Sequence, residues 1–149
     1  MGRALGARRA APALIVIDAL AAVEVLLGSQ AGREAETALM ESRPVIAPAH
    51  FDAEVYGTLR RLYLQGIIDR DRLRTAVDRL ERFDAERAEI VSLLPNVVGL
   101  ADVIGAHDVF YVLLAISRRC RLLTCDLGLG RAARRLGVEV IAIDRGRPS

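Results

Sequence analysis

Apolar residues occur along this chain in two kinds of run. Leu14–Ile17, Arg121–Cys125 and Val138–Ile143 are short, β-rich and nearly continuous, which is the pattern of strands buried on both faces. Val45–Ile46 and Glu89–Leu93 are weaker candidates of the same kind, closed by Pro48 and Pro95. Between them lie segments with helical spacing. His50–Gln65 carries Phe51, Val55, Leu59 and Leu62 on one stripe, and Arg70–Ala85 carries Leu73, Val77 and Leu80. Ala19–Leu27 favours helix up to Gly28, Gly32–Glu41 is a polar helix, and Asn96–Ile104 is a short one. Val109–Arg118 is apolar on most sides, as in a buried helix. Leu127–Leu136 is a helix with Gly137 placed to cap it.

Strands alternate with helices, and the strands are continuous apolar runs. That combination predicts an α/β fold: a three-layer α/β/α sandwich around a central, mainly parallel five-stranded sheet. It fits one domain over residues 13–145, with 1–12 as a flexible Arg/Ala tail or the product of a start codon placed too far upstream. No internal repeat or linker interrupts it.

Composition narrows the chemistry. The 149 residues are 52% hydrophobic but only 4% aromatic, so Ala, Val, Leu and Ile must build the core. All 21 basic residues are Arg. Without Lys there is no Walker NTPase, no protein-kinase strand Lys and no Schiff-base chemistry, and a phospho-receiver reading weakens. A GC-rich genome would produce the same bias. The net charge of +2 permits nucleic-acid binding without indicating it. Cys120 and Cys125 form neither a disulfide framework nor a zinc pattern and read as apolar fillers in a reducing cytoplasm. Asp18 and Glu24 interrupt the first apolar run, so it is neither a signal peptide nor a membrane span.

Ligands of open parallel sheets bind at the carboxyl ends of strands. The first strand ends at Asp18 and the fourth at Asp126. Neighbouring strands lie about 4.8 Å apart, so if these two pair, the acids share a pocket. Glu54 sits one turn into the third helix, and Asp108 opens the apolar helix. Four carboxylates at one edge repel one another, and a hard cation, Mg²⁺ or Mn²⁺, resolves the conflict. Such sites drive in-line displacement at phosphate. Each acid also has a structural reading: Asp18 and Asp108 as helix N-caps, Glu54 as a solvated helix acid, Asp126 as a turn residue. The set is more specific than any member.

At these residues the chain resembles a known family. LIVIDALAAVEVLLG looks like the opening of PIN-domain proteins, where a strand delivers an Asp, here Asp18. APAHFDAEVYGTLRRL resembles their second block, with Glu54 as its acid. GAHDVFYVLLAI resembles the third, with Asp108, and RLLTCDLGLGRAA the fourth, with Thr124 two before Asp126. The blocks cover the chain from about Ala13 to Asp144, and the length is similar to that of VapC-type toxins of bacterial toxin–antitoxin pairs. The resemblance implies a Mg²⁺- or Mn²⁺-dependent ribonuclease acting on RNA, a homodimer, and a small cognate antitoxin that blocks the site. It implies Asp18, Asp108 and Asp126 as metal ligands, with Glu54 binding or orienting a metal-bound water. Leu20 departs from the pattern, since relatives often carry Ser or Thr at that position.

Other residues are weaker candidates. His50 and His107 flank the acids and read as capping or site-adjacent groups. Arg61 shares the Glu54 stripe at a step of seven, and Arg131 and Arg134 follow Asp126; these are candidates for RNA phosphates. Arg70, Arg72, Arg74, Arg79 and Arg82 alternate with acids and suggest surface ion pairs. Asp102 reads as a solvated helix position. The competing functions are a catalytically silent PIN domain that binds RNA or serves assembly, and, less well supported, an acid-pocket phosphatase.

Overall fold

The computed structural model describes residues 14–146. The tail expected at 1–12 lies outside them. Five strands form one sheet in the order β3-β2-β1-β4-β5, and every pairing is parallel. They are β1 (Ile15–Ile17), β2 (Val45–Pro48), β3 (Glu86–Ala88), β4 (Arg121–Thr124) and β5 (Val140–Ala142). The helices are α1 (Ala19–Leu27), α2 (Gln30–Met40), α3 (Phe51–Leu64), α4 (Arg70–Glu81), α5 (Asp108–Arg118) and α6 (Leu127–Arg135).

Successive strand residues point to opposite faces. All three residues of β1 have 0% exposure, so both faces are covered. On the sheet, α5 lies across β1, β2 and β4, while α1 packs on β4 and gathers α2, α3 and α4 around itself. This is the three-layer sandwich the patterning predicts. Close approach of α2 to α1 depends on Gly32: a Cβ there would lie 2.0 Å from the Glu24 carbonyl oxygen. That distance is far inside van der Waals contact.

Two expected elements fall elsewhere. The third strand is Glu86–Ala88 rather than 89–93. It is an edge strand with a single neighbour, β2, so it tolerates Glu86 and Arg87. Arg87 grips Asp52 of α3 through two bonds, Nε to Oδ2 at 3.0 Å and Nη2 to Oδ1 at 2.8 Å. The apolar residues that suggested a strand form a 3₁₀ helix, Val91–Asn96, which buries Leu93 and contains Pro95. The helix expected over 96–104 is reduced to a second 3₁₀ turn, Val98–Leu100, followed by turns.

The Arg residues of α4 also behave differently from the expectation of surface ion pairs. Among the described residues, Arg70, Arg72, Arg74, Arg79 and Arg82 form no salt bridge. Arg72 and Arg79 instead donate to the Leu27 and Leu26 carbonyls, at 3.2 and 3.1 Å. Those carbonyls end α1, where orphan acceptors and the negative helix terminus favour cations. Arg70 reaches the Tyr63 hydroxyl at 3.4 Å.

Candidate active site

Chain order reverses direction across the sheet between β1 and β4, which makes their carboxyl ends the topological switch point. Ile17 pairs with Leu123. The next step brings Asp18 beside Thr124, and Asp18 N donates to the Leu123 carbonyl at 3.0 Å. Asp18 is 3% exposed. Its Oδ1 accepts from Ala21 N at 2.8 Å, and its Oδ2 accepts from the Thr124 hydroxyl. Thr124 Oγ1 in turn accepts from Asp126 N at 2.9 Å. One hydroxyl thus ties the acid of β1 to the backbone that presents the acid after β4.

Of the structural readings, the N-cap role of Asp18 holds; Asp108 does not cap α5, where His107 takes that position, and Asp126, expected as a turn residue, is the N-cap of α6. Asp18 caps α1, and Asp126 caps α6 through Leu129 N at 3.0 Å. Capping uses one carboxylate oxygen of each acid; in Asp18 the other, Oδ2, also accepts from Thr124 and keeps only its remaining lone pair for a ligand. Glu54 lies in the first turn of α3, half-buried, and Asp108 is the first residue of α5. His50 and His107 occupy N-cap positions without capping through their side chains. They stand beside Glu54, with His50 Nε2 3.7 Å and His107 Nδ1 4.0 Å from its Oε2. His50 Nε2 is also 3.2 Å from the His107 carbonyl. A carbonyl only accepts, so Nε2 carries a hydrogen.

The electrostatics link the four acids. Burial, opposed by the bonds from Thr124 and Ala21, pushes Asp18 up to about 7, and the charges of Asp108 and Asp126 add to the rise. Burial also raises Asp108, with Asp126 as the next cause. Glu54 is raised by burial, lowered by His50, and raised again by Asp108. Like charges raise one another when they are near, so each of Asp18, Glu54 and Asp108 feels a neighbouring carboxylate in the acid cluster at the end of the sheet.

Whether this cluster suits a divalent cation is a question of donors and room. The donors are hard carboxylate oxygens, the set that Mg²⁺ and Mn²⁺ prefer. Glu54 Oε2 is buried with no hydrogen-bond partner. Gly128 keeps space at Asp126, because a Cβ there would lie 3.3 Å from Asp126 Oδ1. Among the described residues, however, no three His, Cys, Asp or Glu side chains are already drawn together as a set that could hold a metal ion. Mutual repulsion parts uncompensated carboxylates, and the bonds to Ala21, Thr124 and Leu129 hold Asp18 and Asp126 against their walls. The chemistry fits a cation; gathering the ligands around it requires side-chain rotation.

The remaining candidates separate. Arg131 is exposed, and its Nη2 lies 3.8 Å from the position a Gly128 Cβ would occupy, so it stands at the rim beside Asp126. Arg134 donates to the Val140 carbonyl at 3.3 Å and tethers α6 to β5. Arg61 is exposed on α3. Asp102 is exposed, as expected. Leu20 is partly buried against the core. One residue escaped the sequence reading. Tyr111, buried with 0% exposure, turns its hydroxyl toward Glu54. It sits in the apolar run of α5 and looks like core; its hydroxyl, one turn after Asp108, was the only available signal.

A family model described as PIN domain matches residues 15–135. Ribonuclease VapC3 of Mycobacterium tuberculosis (strain ATCC 25618 / H37Rv) is 33% identical over 121 residues, which covers 81% of this chain and 88% of that protein. Ribonuclease VapC12 of the same strain is 34% identical over 134 residues, covering 87% of this chain and 100% of that protein. Ribonuclease VapC9 is 32% identical over 121 residues, covering 78% and 88%. Among the described residues, no helix is long and apolar enough to cross a membrane.

Proposed function

The chain belongs to the PIN domain family, and from that premise we propose that it is a metal-dependent endoribonuclease of the VapC type. The observation that carries this is the gathering of Asp18, Glu54, Asp108 and Asp126 from four separate segments at the switch point of a parallel sheet. Three curated relatives with similarity over most of the chain are named ribonucleases.

Asp18, Asp108 and Asp126 would hold the Mg²⁺, or Mn²⁺ in its place, and Glu54 would complete the shell directly or through a water. When bound, the cation neutralises the acids, activates a water and offsets charge at the scissile phosphate. The protein's own groups do the rest. Thr124 fixes the rotamer of Asp18, and Leu129 N fixes that of Asp126. Arg131 at the rim meets a phosphate of the RNA, for which a guanidinium fork is suited. Arg61 would extend that contact along α3. Arg134 contributes less, because its guanidinium is engaged with Val140. As the family resemblance implies, the working unit is a homodimer, and a small cognate antitoxin covers the site.

The test is cleavage of RNA by purified protein freed of any antitoxin. Cleavage should need Mg²⁺, stop in chelator, and be lost in Asp108→Asn while circular dichroism shows the fold retained. Unchanged cleavage in either case means that the acids are not the catalytic centre. A second reading, a silent RNA-binding PIN domain, is favoured by Leu20 in place of a hydroxyl residue and by the absence, among the described residues, of a ready three-ligand set. Calorimetry with Mn²⁺ separates the two, since a silent domain takes up no metal through its carboxylates.

A further inference from the structure

Tyr111 has two properties that do not belong together in an ordinary core residue. It is among the largest fully buried side chains, and its hydroxyl has no hydrogen-bond partner. Buried Tyr hydroxyls are normally paired, because an unpaired one loses its bonds to water and gains nothing in return. The second orphan of the neighbourhood is Glu54 Oε2, also buried and unbonded. His50 joins the two: its ring centroid lies 5.3 Å from that of Tyr111 and its Nε2 lies 3.7 Å from Glu54 Oε2, and the charges of Glu54, Asp18 and Asp108 all act on the Tyr111 hydroxyl. The Tyr111 ring is fixed in place: the His50 ring stands edge-on to it, and His50 is fixed in turn by its bond to the His107 carbonyl.

A donor without an acceptor and an acceptor without a donor thus share His50 as a neighbour inside the acid cluster. Their neighbours are rigid elements, the first turn of α3 and the second turn of α5. A phenol and a carboxylate in this relation close a charge-assisted hydrogen bond with a small rotation of Glu54.

We propose that Tyr111 is a positioning residue for Glu54. Its hydroxyl donates to one carboxylate oxygen and so aims the other into the acid cluster. Closing the bond needs only a rotation of Glu54 on α3 against α5, so the role does not require a bound metal. Groups that orient metal ligands from behind typically change metal affinity by 10–100-fold. The value of Tyr111 for catalysis rests on the metal-nuclease reading above; its contact with Glu54 does not.

The experiment compares the wild type, Tyr111→Phe, Glu54→Leu and the double variant. Phe fills the same space and Leu removes the acceptor. In chelator at pH 8, urea unfolding should show Tyr111→Phe lowering the folded-to-unfolded ratio about tenfold when Glu54 is present, as expected for a bond to a charged group, and not at all when residue 54 is Leu. The non-additivity is the signature of the pair. Equal effects of Tyr111→Phe in both backgrounds overturn the proposal. Mn²⁺ titration of the first two proteins supplies the second measurement. The half-saturating concentration should rise about tenfold or more in Tyr111→Phe, at unchanged stoichiometry; an unchanged midpoint refutes the positioning role. If the wild type takes up no Mn²⁺, the metal reading fails, and the unfolding cycle still decides the Tyr111–Glu54 contact.

Discussion

The metal-free protein should become more stable when Asp18 is replaced by Asn. Asn keeps the shape and most of the bonds. Its Oδ1 can accept from Ala21 N, now bonded to Asp18 at 2.8 Å. Its amide donates to Thr124 Oγ1, whose hydrogen then turns to the Asp126 carbonyl, 3.3 Å away. What Asn removes is the charge. In the wild type, burial and then the Asp108 and Asp126 charges take Asp18 from 3.8 to about 7, against the pull of its two hydrogen bonds. The gap is about 3 pH units at about 1.4 kcal/mol each, so ionised Asp18 costs the metal-free fold at most about 4 kcal/mol. Between pH 4 and 7 the folded state keeps a proton that the unfolded chain has lost. Folding stability therefore falls as pH rises through that window and levels off above it. Urea-unfolding curves taken in chelator from pH 4.5 to 8.5 should show this fall in the wild type and a shallower one in Asp18→Asn. Glu54 and Asp108 are also raised, but they titrate in both proteins. Above pH 7.5 the variant should be the more stable by one to a few kcal/mol. A variant destabilised equally at every pH, or a wild type that gains stability as pH rises, would refute the electrostatic account of the pocket. In excess Mg²⁺ the order should reverse, since only the wild type keeps the full ligand set.

Three further outcomes follow from the same geometry. At pH 8, Mg²⁺ at about a hundredfold excess over its dissociation constant should stabilise the wild type by about 2.7 kcal/mol, roughly 5–10 °C in melting temperature; a melting curve indifferent to Mg²⁺ would contradict the metal site. Gly32→Ala should destabilise by about 3 kcal/mol or more at any pH, because the new Cβ meets the α1 backbone at 2.0 Å, and a loss under 1 kcal/mol in urea unfolding would show that α2 can shift without cost. Arg131→Ala should raise KM for RNA severalfold and lower the salt dependence of binding by about one counterion, while Arg134→Ala should change KM less; equal effects would place both or neither at the phosphate.

Much of this was legible in the sequence because it is local. Continuous apolar runs mark β1, β4 and β5, a repeat near 3.6 marks α3 and α4, and a longer run apolar on most sides marks α5, since the backbone geometry that forms an element also sets its spacing. The acids at the ends of β1 and β4 were legible for the same reason: a charge that closes a buried strand must sit at its end. The charge pattern of α4 misled, because alternating Arg and acids on a helix read equally well as ion pairs or as independent contacts. Its Arg72 and Arg79 went to the α1 carboxyl terminus instead, a partner 45 and 53 residues away in the chain.

Sequence alone therefore determined the fold class and the family, and it singled out the four acids as candidates. The tertiary structure decided which strands are neighbours, and so which acids share a wall. The Thr124–Asp18 bond spans 106 residues, and no periodicity encodes a contact of that range. It also placed β3 at Glu86–Ala88, where Arg87 is paired with Asp52 of α3, and folded the apolar run that follows into a 3₁₀ helix. Finally, it set Tyr111 against Glu54. An apolar helix position and a buried hydroxyl with a task have the same letter in the sequence, and only the group on the facing helix tells them apart.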